Sequence, residues 1–240
     1  MMTREQYLTP NPNVPPPWVL PRRWTPPSEK DTRGARSIGF SSKGSSRTVF
    51  VVDGHVEGVE SDLELSSGLW LLAQPDIVDV ISQWPQVQYV DRDGVLRRFT
   101  FDFTSVHSDR SRTAHSIKPE DKVASSEVEE IHRLLQRQMS PKLASRINLV
   151  TEAKLKPQDR FNAEVIYTAR RFPVPEHDAA IEKLIGDLHG TTTVGALRQA
   201  SGLHGAGFRA IVRLIAARKL ELVEHVRIVS QAVVRRPKGS

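Results

Sequence analysis

Two residues in this sequence can do chemistry together if the fold brings them to one place. Asp102 lies in VLRRFTFDF (95–103) and Lys118 ends AHSIK (114–118) after a polar turn, while ESDLE (60–64) offers two further carboxylates, Glu60 and Glu64. Phosphodiester hydrolysis needs an electrophilic metal, an activated water and a cation near the attacking or leaving oxygen. Carboxylates from two elements hold the metal, and a lysine beside them orients or polarises the water. Phe99, Phe101 and Phe103 alternate with Thr100, Asp102 and Thr104. With the phenylalanines in the core, Asp102 projects from the opposite face of the strand. The same alternation puts Ser116 and Lys118 on one face of AHSIK, and His115 and Ile117 on the other. Asp102 and Lys118, on strands joined by the SDRSR turn, can therefore share a sheet face. Glu60 and Glu64 stand one helical turn apart and can add a third group from a helix packed at the strand ends. Taken singly, Glu57 reads as ordinary surface charge and Glu60 as a solvated helix residue.

The elements that must position these residues follow from pattern. TVFVV (48–52) reads as a strand, and the imperfect helical period of Val59, Leu63, Leu69 and Leu72 as a helix. IVDVISQ and VQYV read as strands, and Asp93-Gly94 as the turn of a hairpin into VLRRFTFDF. A helix is expected from Ser126, with Glu129 at capping-box spacing and an apolar stripe of Ile131, Leu134, Leu135 and Met139. Ser140-Pro141 is expected to open a shorter helix. INLVTE (147–152) reads as a strand and RFNAEVIYTARRF (160–172) as a helix. After a linker, FPVPEH (172–177), come helices over 178–188, 193–200 and 208–220, with Thr192 or Thr193 as a cap. Two short strands, LELVEH and VRIVSQAVVRR, complete a winged helix-turn-helix pattern. Residues 1–45 are rich in Pro, Ser, Gly and Arg and read as an extended or disordered arm, with Trp18 and Trp24 as anchors.

Composition narrows the partners. The chain has 240 residues, no cysteine and a net charge of +6. A disulfide framework and thiolate metal sites are thereby excluded, and a reducing compartment suits the sequence. No apolar run approaches the ~20 residues of a membrane span, and prolines stand where a signal peptide would have its apolar core. A soluble, cytoplasmic, nucleoid-associated protein is expected. Lys and Arg minus Asp and Glu give 8 − 3 = +5 for residues 1–48, 6 − 12 = −6 for 49–120, 10 − 9 = +1 for 121–180 and 10 − 4 = +6 for 181–240. Basic ends suit a nucleic-acid partner, and the acidic block between them is where a hard cation would be sought. Arg209, Arg213, Arg218, Lys219, Arg235 and Arg236, with Lys238, are the candidates to meet DNA phosphates; a solvated basic face or a protein-docking module is the alternative. There is no glycine-rich phosphate loop, no G-x-S-x-G and no Ser-His-Asp ordering.

The order of ESDLE, QPDIVDVISQWPQVQY, RRFTFDF and HSIKPE resembles the N-terminal catalytic domain of TnsA. TnsA is the PD-(D/E)xK-type endonuclease subunit of heteromeric, Tn-seven-like transposases. The similarity covers about residues 46–172, and the basic C-terminal unit resembles the family's winged-helix domain. The resemblance implies an α+β or α/β fold, a restriction-endonuclease-like mixed sheet flanked by helices, with boundaries at 1–45, 46–172 and 173–240. It places Glu64, Asp102 and Lys118 as catalytic residues. Mg²⁺, replaceable by Mn²⁺, would be held by Asp102, Glu64 and the Ile117 backbone carbonyl. The remaining ligand position falls on Ser116, where the family has Glu or Gln; serine would contribute weakly or through a water. The implied activity is cutting the 5′ strand at each end of a transposon in double-stranded DNA. A partner transposase would act on the 3′ strands, and an ATPase regulator would dock on the C-terminal domain. The rival readings are a stand-alone restriction or defence nuclease, and a catalytically decayed DNA- or protein-binding adaptor.

Overall fold

The phenylalanine run decides the architecture, though not in the way that simple alternation suggests. In the computed structural model, which describes residues 32–35 and 48–237, VLRRFTFDF is two strands and not one. β4 (Gln86–Val90) and β5 (Leu96–Thr100) form a hairpin by themselves, turned at Asp91–Gly94 with Gly94 at φ +78. The chain then breaks at Phe101-Asp102 and enters β6 (Phe103–His107) of a different sheet. The break lets Phe101 and Phe103, both fully buried, enter different cores. Strict alternation would have kept them on one face. The expectation that all three phenylalanines share one core is thereby corrected.

The central sheet has the order β3-β6-β7-β8, with β3 at Ile77–Ser82, β7 at Arg112–Ile117 and β8 at Arg146–Val150. β3, β6 and β7 are antiparallel, and β8 runs parallel to β7, so the sheet is mixed. One face packs on α1 (Asp62–Ala73) and α4 (Pro157–Arg171) through Leu69, Val80, Phe103, Ile117, Val150 and Ala163. The other face packs on α3 (Val128–Gln138) and the β4–β5 hairpin through Val87, Phe101, Ala114 and Leu135.

Residues 55–59 form a strand, β2 (His55–Val59), paired with β1 (Thr48–Val52), and the helix starts only at Asp62. The overlooked signal is Asp53-Gly54, whose φ values of 47° and 82° suit a two-residue hairpin turn. The capping box expected at Ser126 and Glu129 does not form. A short helix, α2 (Glu120–Val123), precedes α3, and the Ser126 hydroxyl donates to the Val123 carbonyl. Ser140-Pro141 opens a turn and not a helix.

In the C-terminal part α5 (Pro175–Gly186) begins at its proline, which suits a first helical turn, so the linker shrinks to Phe172–Val174. Thr193 caps α6 (Val194–Ser201) as expected, accepting from Ala196 N–H, and α7 is His204–Ala216. A three-stranded antiparallel sheet completes the unit in the order β10-β11-β9, from Glu221–Leu222, Val233–Arg235 and Thr191–Thr193. Its core is Ile181, Val194, Leu197, Ile211, Leu214 and Val234. A second apolar cluster, Ile166 and Ala169 of α4 with Val212, Ala216 and Ile228, joins it to the first part. No helix among the described residues is long and apolar enough to cross a membrane. Trp18, Trp24 and Lys238 lie outside the described residues.

Candidate active site

The N-terminus of α1 fixes Glu64. Ser61 is the N-cap, and its hydroxyl accepts the Glu64 N–H at 3.1 Å and donates to Glu64 Oε1 at 3.2 Å. Glu64 Oε2 reaches back to accept the Glu60 N–H at 2.9 Å. This is a reciprocal cap, and it turns the carboxylate toward the chain that leaves β2.

Asp102 sits at the break between β5 and β6, where a residue is released from regular pairing. Its N–H donates to the His115 carbonyl at 3.0 Å, and its carbonyl accepts the Gln83 N–H at 2.8 Å. Its Oδ2 accepts the Ile117 N–H at 2.7 Å. Burial pushes the Asp102 carboxyl up to about 6 against the opposing pull of the Ile117 N–H. The negative charges of Glu64 and Glu60 push the same way as burial, and the Lys118 ammonium opposes them. Each of these side chains is therefore within electrostatic reach of Asp102. Lys118 is anchored just past β7 by its N–H to the Val150 carbonyl, at 3.1 Å. Glu64, Lys118 and Glu60 thus all act on Asp102 through their charge, without a direct bond to it among the described contacts.

Ser116 is elsewhere engaged. It is fully buried, and its hydroxyl pairs with His132 Nε2 of α3 at 2.8 Å, beside the rings of Phe99 and Phe101. The hydroxyl is committed to the α3 core, which corrects its assignment as a weak ligand. Burial lowers His132 to about 4, so it is neutral there. His115 turns the other way, as expected, to Ser105 Oγ at 2.8 Å and toward Asn148 at 3.3 Å. Burial lowers it to about 3, aided by the charges of His107 and Lys154. Among the described residues no three His, Asp or Glu side chains are grouped to hold a metal ion. Any cation at Asp102 would take two carboxylates and backbone oxygen, the hard donor set that Mg²⁺ accepts while keeping several waters.

The basic residues of the C-terminal part divide. Arg213 is buried; its guanidinium bonds both Asp178 oxygens, at 2.5–3.0 Å, and the Ala169 carbonyl at 3.0 Å. It is an interior tie and not a phosphate contact, which corrects its assignment. Helical period was the misleading signal, because α7 is covered on two sides, by its own unit and by α4. Lys219 pairs with Glu182 and Arg235 with Glu221, and Arg236 bonds the Gly186 carbonyl. Arg209, Arg218, Lys219 and Arg236 are exposed.

Glu57 is not the surface charge expected from its sequence context. It is fully buried, and it is bonded by Arg33 and by the Ser82 N–H. The residues paired with it in sequence, Val56 and Val59 in a strand following a hairpin turn, were the available clue. No protein-family model matches the chain, and no curated protein matches it either.

Proposed function

We propose that this protein is a Mg²⁺-dependent DNA endonuclease. Following the TnsA resemblance, it would cut the 5′ strand at transposon ends beside a partner transposase, with an ATPase regulator docked on its C-terminal unit. The observation that supports the reading is the raised Asp102 carboxyl at the break in the phenylalanine run, with the charges of Glu64 and Lys118 within electrostatic reach of it. Each comes from a different element. The mixed sheet flanked by helices suits a restriction-endonuclease-like domain, and the helices and small sheet of residues 175–235 suit a winged helix.

Asp102, Glu64 and the Ile117 carbonyl are the groups that would hold the cation. Bound there, it would supply Lewis-acid polarisation of the phosphate and stabilise developing negative charge. The protein's own groups do the rest. Asp102 must be ionised, which its raised pKa makes dependent on pH near 6. The Ile117 N–H fixes one carboxylate oxygen and leaves the other for the site. Glu64 is held by its cap, and the Lys118 ammonium orients the attacking water for in-line displacement. With α7 covered on two sides, base reading by that helix has little surface to act through. Sequence choice is assigned to the partner, and the C-terminal unit to docking.

The engagement of Ser116 with His132 favours the second reading, an adaptor whose nuclease site has decayed. Calorimetric titration of Mn²⁺ with short duplex DNA present separates the two. We expect saturable binding to the wild type that is lost in Asp102→Asn and weakens below pH 6. Identical titrations for the two proteins would leave the adaptor.

A further inference from the structure

The Asp102 corner is braced from outside the nuclease sheet by a piece of the N-terminal arm. Residues 32–35 are not part of a detached tail. Thr32 pairs in parallel with Val56 of β2, and the Ala35 N–H donates to the Gln83 carbonyl at 3.0 Å. Between them, the Arg33 guanidinium bonds Glu57 Oε1 at 2.6 and 2.8 Å and the two Asp79 oxygens at 2.7 and 2.9 Å. It also reaches the Val80 carbonyl at 3.0 Å. Two carboxylates and a carbonyl converging on one planar donor are matched by Arg and not by Lys.

From this clamp a short chain of bonds leads to the candidate site. Glu57 Oε2 accepts the Ser82 N–H at 2.5 Å, which fixes the end of β3. The next residue, Gln83, takes φ +50, a left-handed conformation that a non-glycine side chain holds only where its surroundings impose it. Its carbonyl is held by Ala35 and its N–H by the Asp102 carbonyl at 2.8 Å. The Pro85 carbonyl, two residues on, accepts the Phe101 N–H at 3.1 Å. Asp102 is thus gripped on one side by β7, through His115 and Ile117, and on the other by a corner whose outer brace is the arm.

We propose that Arg33 is a positioning residue for Asp102: by tying the arm across Glu57 and Asp79 it holds the Gln83 corner, and so the carboxylate, in place. This rests on the endonuclease reading for its consequence but not for its geometry. The role extends the catalytic unit back to residue 32. It also accounts for the full burial of the Glu57 carboxylate.

The test uses the full chain. Arg33→Ala alone strands the buried Glu57 charge and can unfold the protein, so it is paired with Arg33→Ala/Glu57→Gln, which removes that charge. Asn162→Ala serves as a control for general loss of stability, because Asn162 ties α4 to Val226 and Ile228 far along the chain. Two readouts are taken: amide hydrogen exchange at Gln83, Asp102 and Ile117 relative to Ile211, and Mn²⁺ affinity. The double variant should exchange at least about tenfold faster at the three amides and bind Mn²⁺ about tenfold more weakly, the scale of losing an outer-shell partner. Arg33→Lys should not restore either, and Asn162→Ala should move neither. Unchanged exchange at the three amides, or faster exchange with unchanged Mn²⁺ affinity, overturns the proposal. If Asp102→Asn itself leaves Mn²⁺ binding intact, the endonuclease reading falls, and the exchange ratios alone decide the role of Arg33.

Discussion

Glu57, fully buried, and Asp102, half-buried, hang on consecutive peptide groups, the N–H of Ser82 bonding the side chain of one and the N–H of Gln83 the backbone carbonyl of the other. Their surroundings differ in sign. Glu57 has a guanidinium against it, and Arg33 shares its charge with Asp79. Asp102 has one peptide N–H, two neighbouring carboxylates, and a lysine that opposes them without a direct bond. A carboxylate whose charge is cancelled in place contributes to the fold. One whose charge is left in excess costs stability, and the imbalance is what a bound cation would relieve. Electrostatics thus separates an acid paired within the fold from one whose charge is left in excess.

The largest effect should come from breaking the balanced member. Arg33→Ala leaves a fully buried carboxylate unpaired, which costs about 3–5 kcal/mol. Denaturant midpoints should show that loss, with most of it regained in Arg33→Ala/Glu57→Gln. A single variant as stable as the wild type would mean that Glu57 is neutral in the fold, and the contrast would collapse.

The unbalanced member should behave in the opposite sense. An acid whose pKa is raised on folding, here from 3.8 to about 6, contributes stability below pH 3.8 that is lost as pH rises through 6. Ionised Asp102 therefore burdens the metal-free protein at pH 8, on the order of 2–3 kcal/mol at 1.36 kcal/mol per pH unit. Asp102→Asn should be more stable than the wild type at pH 8, by about that much, with the gain gone by pH 4. His115 and His132 work the other way, since histidines held neutral lose stability as pH falls from 6.5 toward 3 and 4 respectively. Both remain in the variant, so their contribution cancels in the difference between the two proteins. A variant less stable than the wild type at pH 8 would show that Asp102 is not in excess negative charge.

The same contrast explains what could be read in advance. Asp102 and Lys118 stood out because a short polar residue in an aromatic run, and a lysine just before a proline, interrupt strong local patterns; pattern alone offered Glu60 and Glu64 equally, and only the resemblance favoured Glu64. The strands around them, the Asp93-Gly94 hairpin, the α4 helix and the Thr193 cap were visible for the same reason: each is encoded within a few residues. Glu57 was not, because its partner Arg33 lies 24 residues away in a stretch of biased composition. Arg213 was misread because a guanidinium on an amphipathic helix looks the same whether it meets solvent or, 35 residues back, Asp178. The break at Phe101 was hidden because alternation cannot reveal that two cores compete for neighbouring side chains. Ser116 was placed correctly on its strand, but its partner His132 belongs to a helix that pattern could not dock.

The smallest expected effect tests whether Glu64 belongs with the paired acid or with the unbalanced one, since its carboxylate caps α1 and its charge also acts on Asp102. Ser61→Ala removes the hydroxyl that accepts the Glu64 N–H, at a cost of about 1 kcal/mol. Glu64→Gln keeps one acceptor oxygen, enough for the Glu60 N–H, and removes the charge. If Glu64 is only a cap, neither change should move the titration of Asp102, followed by the carboxyl carbon resonance. If its charge raises Asp102, as its proximity requires, Glu64→Gln should shift that midpoint down from about 6 while Ser61→Ala leaves it within a few tenths of a unit. Equal midpoints in the wild type and Glu64→Gln would move Glu64 out of the site and leave Glu60 as the other carboxylate acting on Asp102.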